Sequence, residues 1–285
     1  MAGTYLTLRQ RQLARRLREL RHGSGMTVEQ VAEKMLCSPA KISRMETGQR
    51  GVSLRDVREL CRIYGIENQN VAAQLMNLAR EARQPGFKQE WGELSDALAT
   101  FVDLESSAVA VSEFQITYVP SLLQTEEYAR ALIRGMLPRI APDVLEHRVE
   151  VRMKRKARLR EPDAPRYWAL LDEAALLRRV GGAATMHAQM QAVLEAAQLP
   201  NVTVQVIPLD LGAYMCADNP FVYFEIGDAT MPAVVFIELL GRAEYLEKQE
   251  DLEGYREAVD RLRAAALNPQ ASLDVVAEAS ERYRF

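Results

Sequence analysis

The sequence has few cysteines, no long apolar run and no membrane or secretory signal. Its three cysteines, Cys37, Cys61 and Cys216, are scattered and form neither a disulfide framework nor a CxxC metal pair. The longest stretch without Asp, Glu, Lys or Arg, Val180–Leu194, is shorter than the roughly 20 apolar residues of a membrane helix. The N-terminal arginines precede no apolar core of the kind found in secretory signals. These absences predict a cytoplasmic protein with no membrane segment.

Catalytic signatures are also sparse. The three histidines, His22, His147 and His187, lie far apart, and neither an HExxH nor a GxSxG motif occurs. Acids at predicted strand ends, such as Asp172 and Glu173, act as general acids in some enzymes and as helix caps in many proteins. The sequence therefore predicts a protein that is not an enzyme and has no catalytic residue, no cofactor and no metal site.

Charge is unevenly distributed along the 285 residues. Residues 1–64 contain 13 Lys or Arg against 6 Asp or Glu, a net charge of +7, whereas the whole chain has a net charge of −3. A solvated arginine-rich helix would give this pattern, and so would a cationic domain that binds a polyanion. The length is that of about two domains, and the division of charge predicts that they differ in function.

The segment from Thr27 to Gly48 has the pattern of two short helices joined by a tight turn. Thr27 is a candidate N-cap with Gln30 as its capping-box partner, and Ser38 is a second N-cap followed by Pro39 at the first helical position. Gly48 ends the second helix. The residues predicted to face inward are Val31, Ala32, Met35, Ile42 and Met45.

The outer face of the second helix, predicted over residues 38–47, has the chemistry of a DNA major-groove reader. Arg44 is the best candidate base reader, because arginine donates two hydrogen bonds to guanine; a phosphate contact is the alternative. Lys41 is the next candidate, and Ala40 offers an apolar surface to a thymine methyl group. Candidate phosphate contacts, each of which could instead be a cap or a solvated residue, are Thr27, Ser38, Ser43, Gln49 and Arg50.

The remaining periodicity predicts five N-terminal helices and then a mixed α/β region. Pro85-Gly86 is a turn dipeptide and the predicted boundary between a helical domain at 1–85 and an α/β domain at 86–285. A helix is predicted from Trp91, and the chain from Gly241 onward is predicted to be helical. Further helices are predicted at 125–134, 142–160 and 185–197, and strands at 108–116, 166–171, NVTVQVIP, PFVYFEI and AVVFIEL.

The helix predicted at 142–160 carries a dense basic run. This run would suit nucleic acid or an acidic partner, or it is a solvated face offset by nearby acids. Its members are Arg148, Arg152, Lys154, Arg155, Lys156, Arg158 and Arg160.

The pattern VAEKM-LC-SPAKISRMETG resembles the helix-turn-helix domain of lambdoid phage repressors, the XRE class. The resemblance covers about residues 10–80 and implies a five-helix DNA-binding domain. It also implies an ion pair between Arg21 and Glu46 that either orients the second helix of the motif or is purely structural. The turn position usually held by glycine is Leu36, where a left-handed backbone would cost about 1 kcal/mol or more.

Residues 90–285 resemble a second family, the C-terminal domain of uncharacterised function found behind XRE-type heads in actinobacterial regulators, including regulators linked to sporulation. The matching segments include VPSLLQTEEYARALI from Val119, LLDEAALLRRVGG from Leu170 and NPFVYFEI from Asn219. The family implies transcriptional control, often together with a small partner protein.

Together these features predict a sequence-specific DNA-binding transcriptional regulator, a dimeric repressor that reads double-stranded DNA with helix 38–47. The alternative is a docking module whose DNA binding is controlled by a small cognate protein. An enzyme with a DNA-binding head is the least supported reading.

Overall fold

A computed structural model describes residues 7–83, 96–228, 231–239 and 242–284. The chain forms two compact units. The N-terminal unit comprises residues 1–107 with 228–232, and the α/β unit comprises residues 108–227 with 233–285. The boundary predicted at Pro85-Gly86 and the predicted helix start at Trp91 lie outside the described residues. Each unit has its own hydrophobic core.

The N-terminal unit begins with five helices, which confirms the fold predicted for this end of the chain. Thr7, Thr27 and Ser53 each cap the helix that follows, and each forms a capping box with the residue three positions on. Among the described residues, one more helix follows at 96–107. The helices are α1 (Leu8–Gly23), α2 (Val28–Lys34), α3 (Pro39–Glu46), α4 (Leu54–Ile63), α5 (Gln69–Glu81) and α6 (Asp96–Ser107).

The core of this unit lies between α1, α2, α3 and α4. Leu17, Val31, Ile42, Met45 and Val57 are each at most 1% exposed and belong to one apolar cluster. Burial of a side chain of this size contributes roughly 1.5–3 kcal/mol. The core therefore fixes which face of α3 points inward and leaves the opposite face to solvent.

The turn between α2 and α3 contains a leucine in a left-handed conformation. The φ angle of Leu36 is +52°, its N–H donates to the Glu33 carbonyl, and the Cys37 N–H donates to the Ala32 carbonyl. This pair of bonds is a Schellman cap, a motif in which glycine usually occupies the left-handed position. The turn of the motif thus forms without its usual glycine, and the fold absorbs the strain.

We expect Leu36→Gly to stabilise the N-terminal unit by roughly 0.5 kcal/mol. Glycine removes a left-handed penalty of about 1–2 kcal/mol and adds a backbone entropy cost of about 0.5–1 kcal/mol. No packing is lost, because Leu36 is 93% exposed. Urea unfolding measures the change, and Leu36→Ala, which keeps the backbone penalty, is the control. A glycine variant less stable than the alanine variant, by the glycine entropy cost alone, would show that the turn is unstrained.

The α/β unit is built on one six-stranded sheet in the order β3-β2-β1-β4-β5-β6. The first three strands are parallel to one another, and β4, β5 and β6 add antiparallel to their neighbours. The mixed α/β fold is therefore confirmed. The strands are β1 (Ala110–Gln115), β2 (Arg166–Asp172), β3 (Val202–Ile207), β4 (Phe221–Glu225), β5 (Ala233–Leu239) and β6 (Arg242–Leu246).

The prediction of helix from Gly241 onward was wrong for residues 242–246, which form β6. This strand pairs with β5, and the rings of Phe236 and Tyr245 lie 5.3 Å apart across the pair. Its sequence, RAEYL, contains residues that favour helix and lacks an apolar alternation. Pairing with β5 therefore decides the conformation of this segment.

The helices of the α/β unit lie between and after the strands. α11 contributes Leu252, Val259 and Leu262 to the same core cluster as Phe114 and Val235 of the sheet. No described helix combines the length and the apolar character needed to span a bilayer. The helices are α7 (Glu126–Met136), α8 (Pro142–Ala157), α9 (Ala174–Leu177), α10 (Ala183–Ala196), α11 (Gln249–Ala265) and α12 (Pro269–Arg282).

The outer edge of β3 is covered by the start of α12. The Val206 N–H donates to Ser272 Oγ at 2.9 Å, and the Val206 carbonyl accepts from the Leu267 N–H at 2.9 Å. Gln205 Nε2 also donates to the Leu267 carbonyl at 2.8 Å. These bonds replace the neighbouring strand that β3 lacks on this side.

Candidate nucleic-acid interface

The helix α3 has one buried face and one exposed face. Ser38 caps it, its Oγ accepting from the Lys41 N–H at 3.3 Å, and Pro39 occupies the first helical position as predicted. Ile42 and Met45 are completely buried. The exposed residues of the helix and its N-cap are Ser38, Pro39, Ala40, Ser43 and Arg44.

Arg44 lies on this exposed face with most of its guanidinium open to a ligand. Its Nε donates to the Ala40 carbonyl at 3.2 Å, one turn earlier, which directs the side chain back along the helix. In the part of the chain that the structure describes, no carboxylate pairs with Arg44. The remaining N–H donors can form the two-point contact that a guanine edge or a phosphate accepts.

Lys41 is held differently from Arg44. Its Nζ lies 2.7 Å from Asp56 Oδ1 on α4, so the ammonium predicted to face DNA joins two helices of the unit. Burial opposes ionisation of Asp56, but the hydrogen bonds from Lys41 and Ser53 outweigh it and lower the pKa of the carboxyl group. Lys41 therefore contacts DNA only if it shares or breaks this ion pair.

Arg21 and Glu46 form a buried two-point ion pair between α1 and α3. Arg21 Nε lies 2.8 Å from Glu46 Oε1, and Arg21 Nη2 lies 3.0 Å from Glu46 Oε2. Arg21 also donates to the Met26 carbonyl at 2.9 Å. Hydrogen bonding to Glu46 raises the pKa of the Arg21 guanidinium. This geometry fixes the C-terminal end of α3, the helix that carries Arg44, against α1.

The other predicted contact residues flank α3. Thr27 is the exposed N-cap of α2, and its side chain accepts from the Gln30 N–H at 3.3 Å. Gln49 and Arg50 are exposed beyond the C-terminus of α3, and the Arg50 N–H donates to the Arg44 carbonyl at 3.0 Å. This bond holds the backbone of a second arginine, Arg50, against the C-terminal end of α3.

Two exposed cations that the sequence analysis did not single out lie on the helix that follows α3. Arg55 and Arg58 are exposed on the first half of α4, the helix that Lys41 reaches through Asp56. Across the described ranges, neither has an acidic partner within ion-pair distance. The spacing of Arg55 and Arg58 around inward-facing Val57 could have revealed them from the sequence.

Several other cations of the unit are paired with acids. Arg15 and Arg16 both bond Glu19 on α1, and Arg62 bonds Glu59 at the end of α4. Exposed pairs of this kind contribute little to stability, but they neutralise positive charge locally. The cations without an acidic partner among the described residues therefore include a group on α3, the following loop and the start of α4: Arg44, Arg50, Arg55 and Arg58.

Both parts of the chain match models of known protein families. Residues 12–74 match a helix-turn-helix domain, and residues 98–278 match a domain of unknown function (DUF5753). No curated protein matches the chain, and no solved structure does. The helix-turn-helix match confirms the resemblance of the N-terminal segment and makes the protein a DNA-binding regulator in general terms. The chain belongs to the family defined by the domain of unknown function DUF5753, here carried behind a helix-turn-helix head.

Proposed function

We propose that the protein is a sequence-specific transcriptional repressor that binds DNA as a dimer and reads the major groove with α3. The observation that carries this proposal is Arg44, an exposed arginine without a carboxylate partner in the described residues, on a helix whose opposite face is buried. The Arg21–Glu46 pair holds the same helix in place. A rigid helix with an available guanidinium is suited to base recognition.

The size of α3 supports a dimer. The helix has eight residues and is about 12 Å long, the length of about four stacked base pairs. A site that short occurs too often in a genome for one copy to act specifically. Two copies related by a two-fold axis would read two half-sites about one helical turn apart.

Footprinting upstream of the protein's own operon tests the proposal. We expect a protected inverted repeat whose half-sites are separated by about one helical turn, with protection that weakens steeply as salt rises. Size-exclusion chromatography with light scattering should give twice the mass of the chain, which is 32.1 kDa. A monomer with no protected repeat at low salt would contradict the proposal.

We also propose that the protein has no catalytic activity. The strand-end acids are engaged in structure: Asp172 Oδ1 accepts from the Ala174 N–H at 2.8 Å, and Glu173 Oε2 accepts from the Leu209 N–H at 3.0 Å. His187 bonds the carbonyl of Ser280. These contacts support the interpretation of the acids as helix caps. Turnover of a substrate by the purified protein would contradict the proposal that it has no catalytic activity.

A second candidate function is docking of a small partner protein. It is supported by three large apolar side chains that lie close in sequence after β3 and are 40–51% exposed: Leu209, Leu211 and Met215. Exposed apolar patches mark interaction surfaces more often than scattered single residues do. Co-purification from the native host tests this role; recovery of the chain alone, with unchanged operator affinity in lysate, would argue against it.

A further inference from the structure

Three arginines on one side of α8 face the interior of the α/β unit. Arg148, Arg152 and Arg155 are spaced four and three residues apart, which places them on one helix face. Arg155 is 5% exposed, and the other two are half-buried. Lys154, by contrast, is exposed and pairs with Glu150 at 2.8 Å. The basic run of α8 is therefore divided between solvent and interior.

The segment between β1 and α7 accepts hydrogen bonds from three cations of α8. Arg152 Nη1 donates to Gln124 Oε1 at 2.7 Å, and Arg155 Nη2 donates to Ser121 Oγ at 2.9 Å. Lys156 Nζ donates to the Gln124 carbonyl at 2.9 Å. Gln124 itself is 2% exposed, and its Nε2 donates to the Val119 carbonyl. The glutamine is thus fixed and holds the guanidinium of Arg152 in one orientation.

The positive charge of Arg152 has no carboxylate partner among the described residues. Across the described residues, no carboxylate lies within ion-pair distance of Arg148 or Arg152, and Arg152 bonds only Gln124. Burial, and then the positive charge of Arg155, lower the pKa of Arg152 to about 10, against the opposing influence of Glu113 and Glu238. A half-buried guanidinium with unused donors is suited to binding an anion from solution.

The nearby acid Glu113 is committed to other groups. Its Oε2 accepts from the Tyr167 hydroxyl at 2.6 Å, and its Oε1 accepts from the Ser121 N–H at 3.1 Å and from Gln115 Nε2 at 3.2 Å. Glu113 is 2% exposed on β1 and is held there by these bonds. Arg152 therefore retains four of its five N–H donors without an acceptor among the described residues.

We propose that Arg152, with Arg148 one turn away, anchors a binding site in the α/β unit for the oxyanion group of a small molecule, a phosphate or a carboxylate. A guanidinium whose orientation is fixed by Gln124 presents two parallel donors to such a group. The bound anion accepts from the N–H donors that Arg152 leaves without an acceptor among the described residues. The site lies in the domain of unknown function and is independent of the DNA-binding proposal.

Thermal unfolding of the full chain in chloride buffer of constant ionic strength tests the site. The probes are inorganic phosphate and malonate at millimolar concentration, and the larger response identifies the preferred group. We expect either probe to raise the Tm of the wild type by several degrees, in proportion to the logarithm of its concentration. Failure of both probes to raise the wild-type Tm would overturn the proposal.

The variant Arg152→Gln should show no rise of Tm with either probe. Without a probe, its Tm should equal or exceed that of the wild type, because a charge without an anionic partner is removed. A general stabilisation by the salts is excluded by comparing this variant with Lys154→Gln, which removes an exposed charge of the same helix and should respond like the wild type. An equal response of Arg152→Gln and Lys154→Gln would refute the site. Arg152→Lys keeps the charge but loses the two parallel donors of the guanidinium, so it should need about tenfold more ligand for the same rise of Tm. This variant replaces Arg152→Gln in the comparison if Arg152→Gln does not fold.

Discussion

Replacing Glu46 with alanine is expected to destabilise the N-terminal unit by about 3–5 kcal/mol. Arg21 and Glu46 are 7% and 8% exposed, so the variant leaves a buried guanidinium with the Met26 carbonyl but without its carboxylate. Water cannot replace the lost charge without opening the core between α1 and α3. Hydrogen exchange of the α1 and α3 amides measures the loss within the intact chain.

Two further variants show whether the pair only supports the fold or also orients α3. Glu59→Ala breaks the exposed pair with Arg62 and should cost less than about 1 kcal/mol; a similar cost for Glu46→Ala would contradict the expected burial effect. The double variant R21M/E46L removes both charges and should recover most of the stability. Weakened operator binding by this stable double variant would show orientation, and unchanged binding would show a purely structural pair.

Replacing Arg44 with alanine is expected to weaken binding to the operator by roughly ten- to hundredfold, the loss of about 1–3 kcal/mol of base discrimination. Binding to random DNA should fall much less, because non-specific affinity comes mainly from phosphate contacts. The helix should remain folded, since Arg44 is exposed and bonds only the Ala40 carbonyl among the described residues. Titration of both DNA types at one salt concentration gives the comparison.

Arg62→Ala is the matched control for this experiment. It removes one exposed arginine from the same unit, but from the end of α4 and from a pair with Glu59. We expect it to leave the ratio of operator affinity to random-DNA affinity unchanged. An equal loss on both DNAs for Arg44→Ala would assign Arg44 to a phosphate instead of a base.

The local features of the N-terminal unit could be predicted because short-range chemistry determines them. Thr27 and Ser38 are caps predicted from the residue types alone, and each accepts a hydrogen bond from the backbone N–H three residues later. The buried positions on α2 and α3 followed from helical periodicity. The left-handed turn at Leu36 was anticipated only as a conflict between the motif and the residue.

Features that depend on contacts distant in sequence could not be predicted. The pair between Lys41 and Asp56 joins two helices, and nothing in the spacing shows that the lysine bonds an acid of another helix. β6 has a composition that favours helix and becomes a strand through β5. The inward direction of Arg152 also depends on Gln124, which lies on a different element. In each case the partner residue belongs to another helix, strand or loop, whereas periodicity reports only on residues within one element.

The cover over the outer edge of β3 has a consequence for how the α/β unit is made. Val206 gains its hydrogen bonds from Leu267 and Ser272, more than 60 residues later in the chain. During synthesis, β3 therefore leaves the ribosome with one edge open, and that edge can pair with other chains until α12 emerges. Formation of α12 is therefore a closing step of assembly, so folding of this unit is completed only after α12 has been translated.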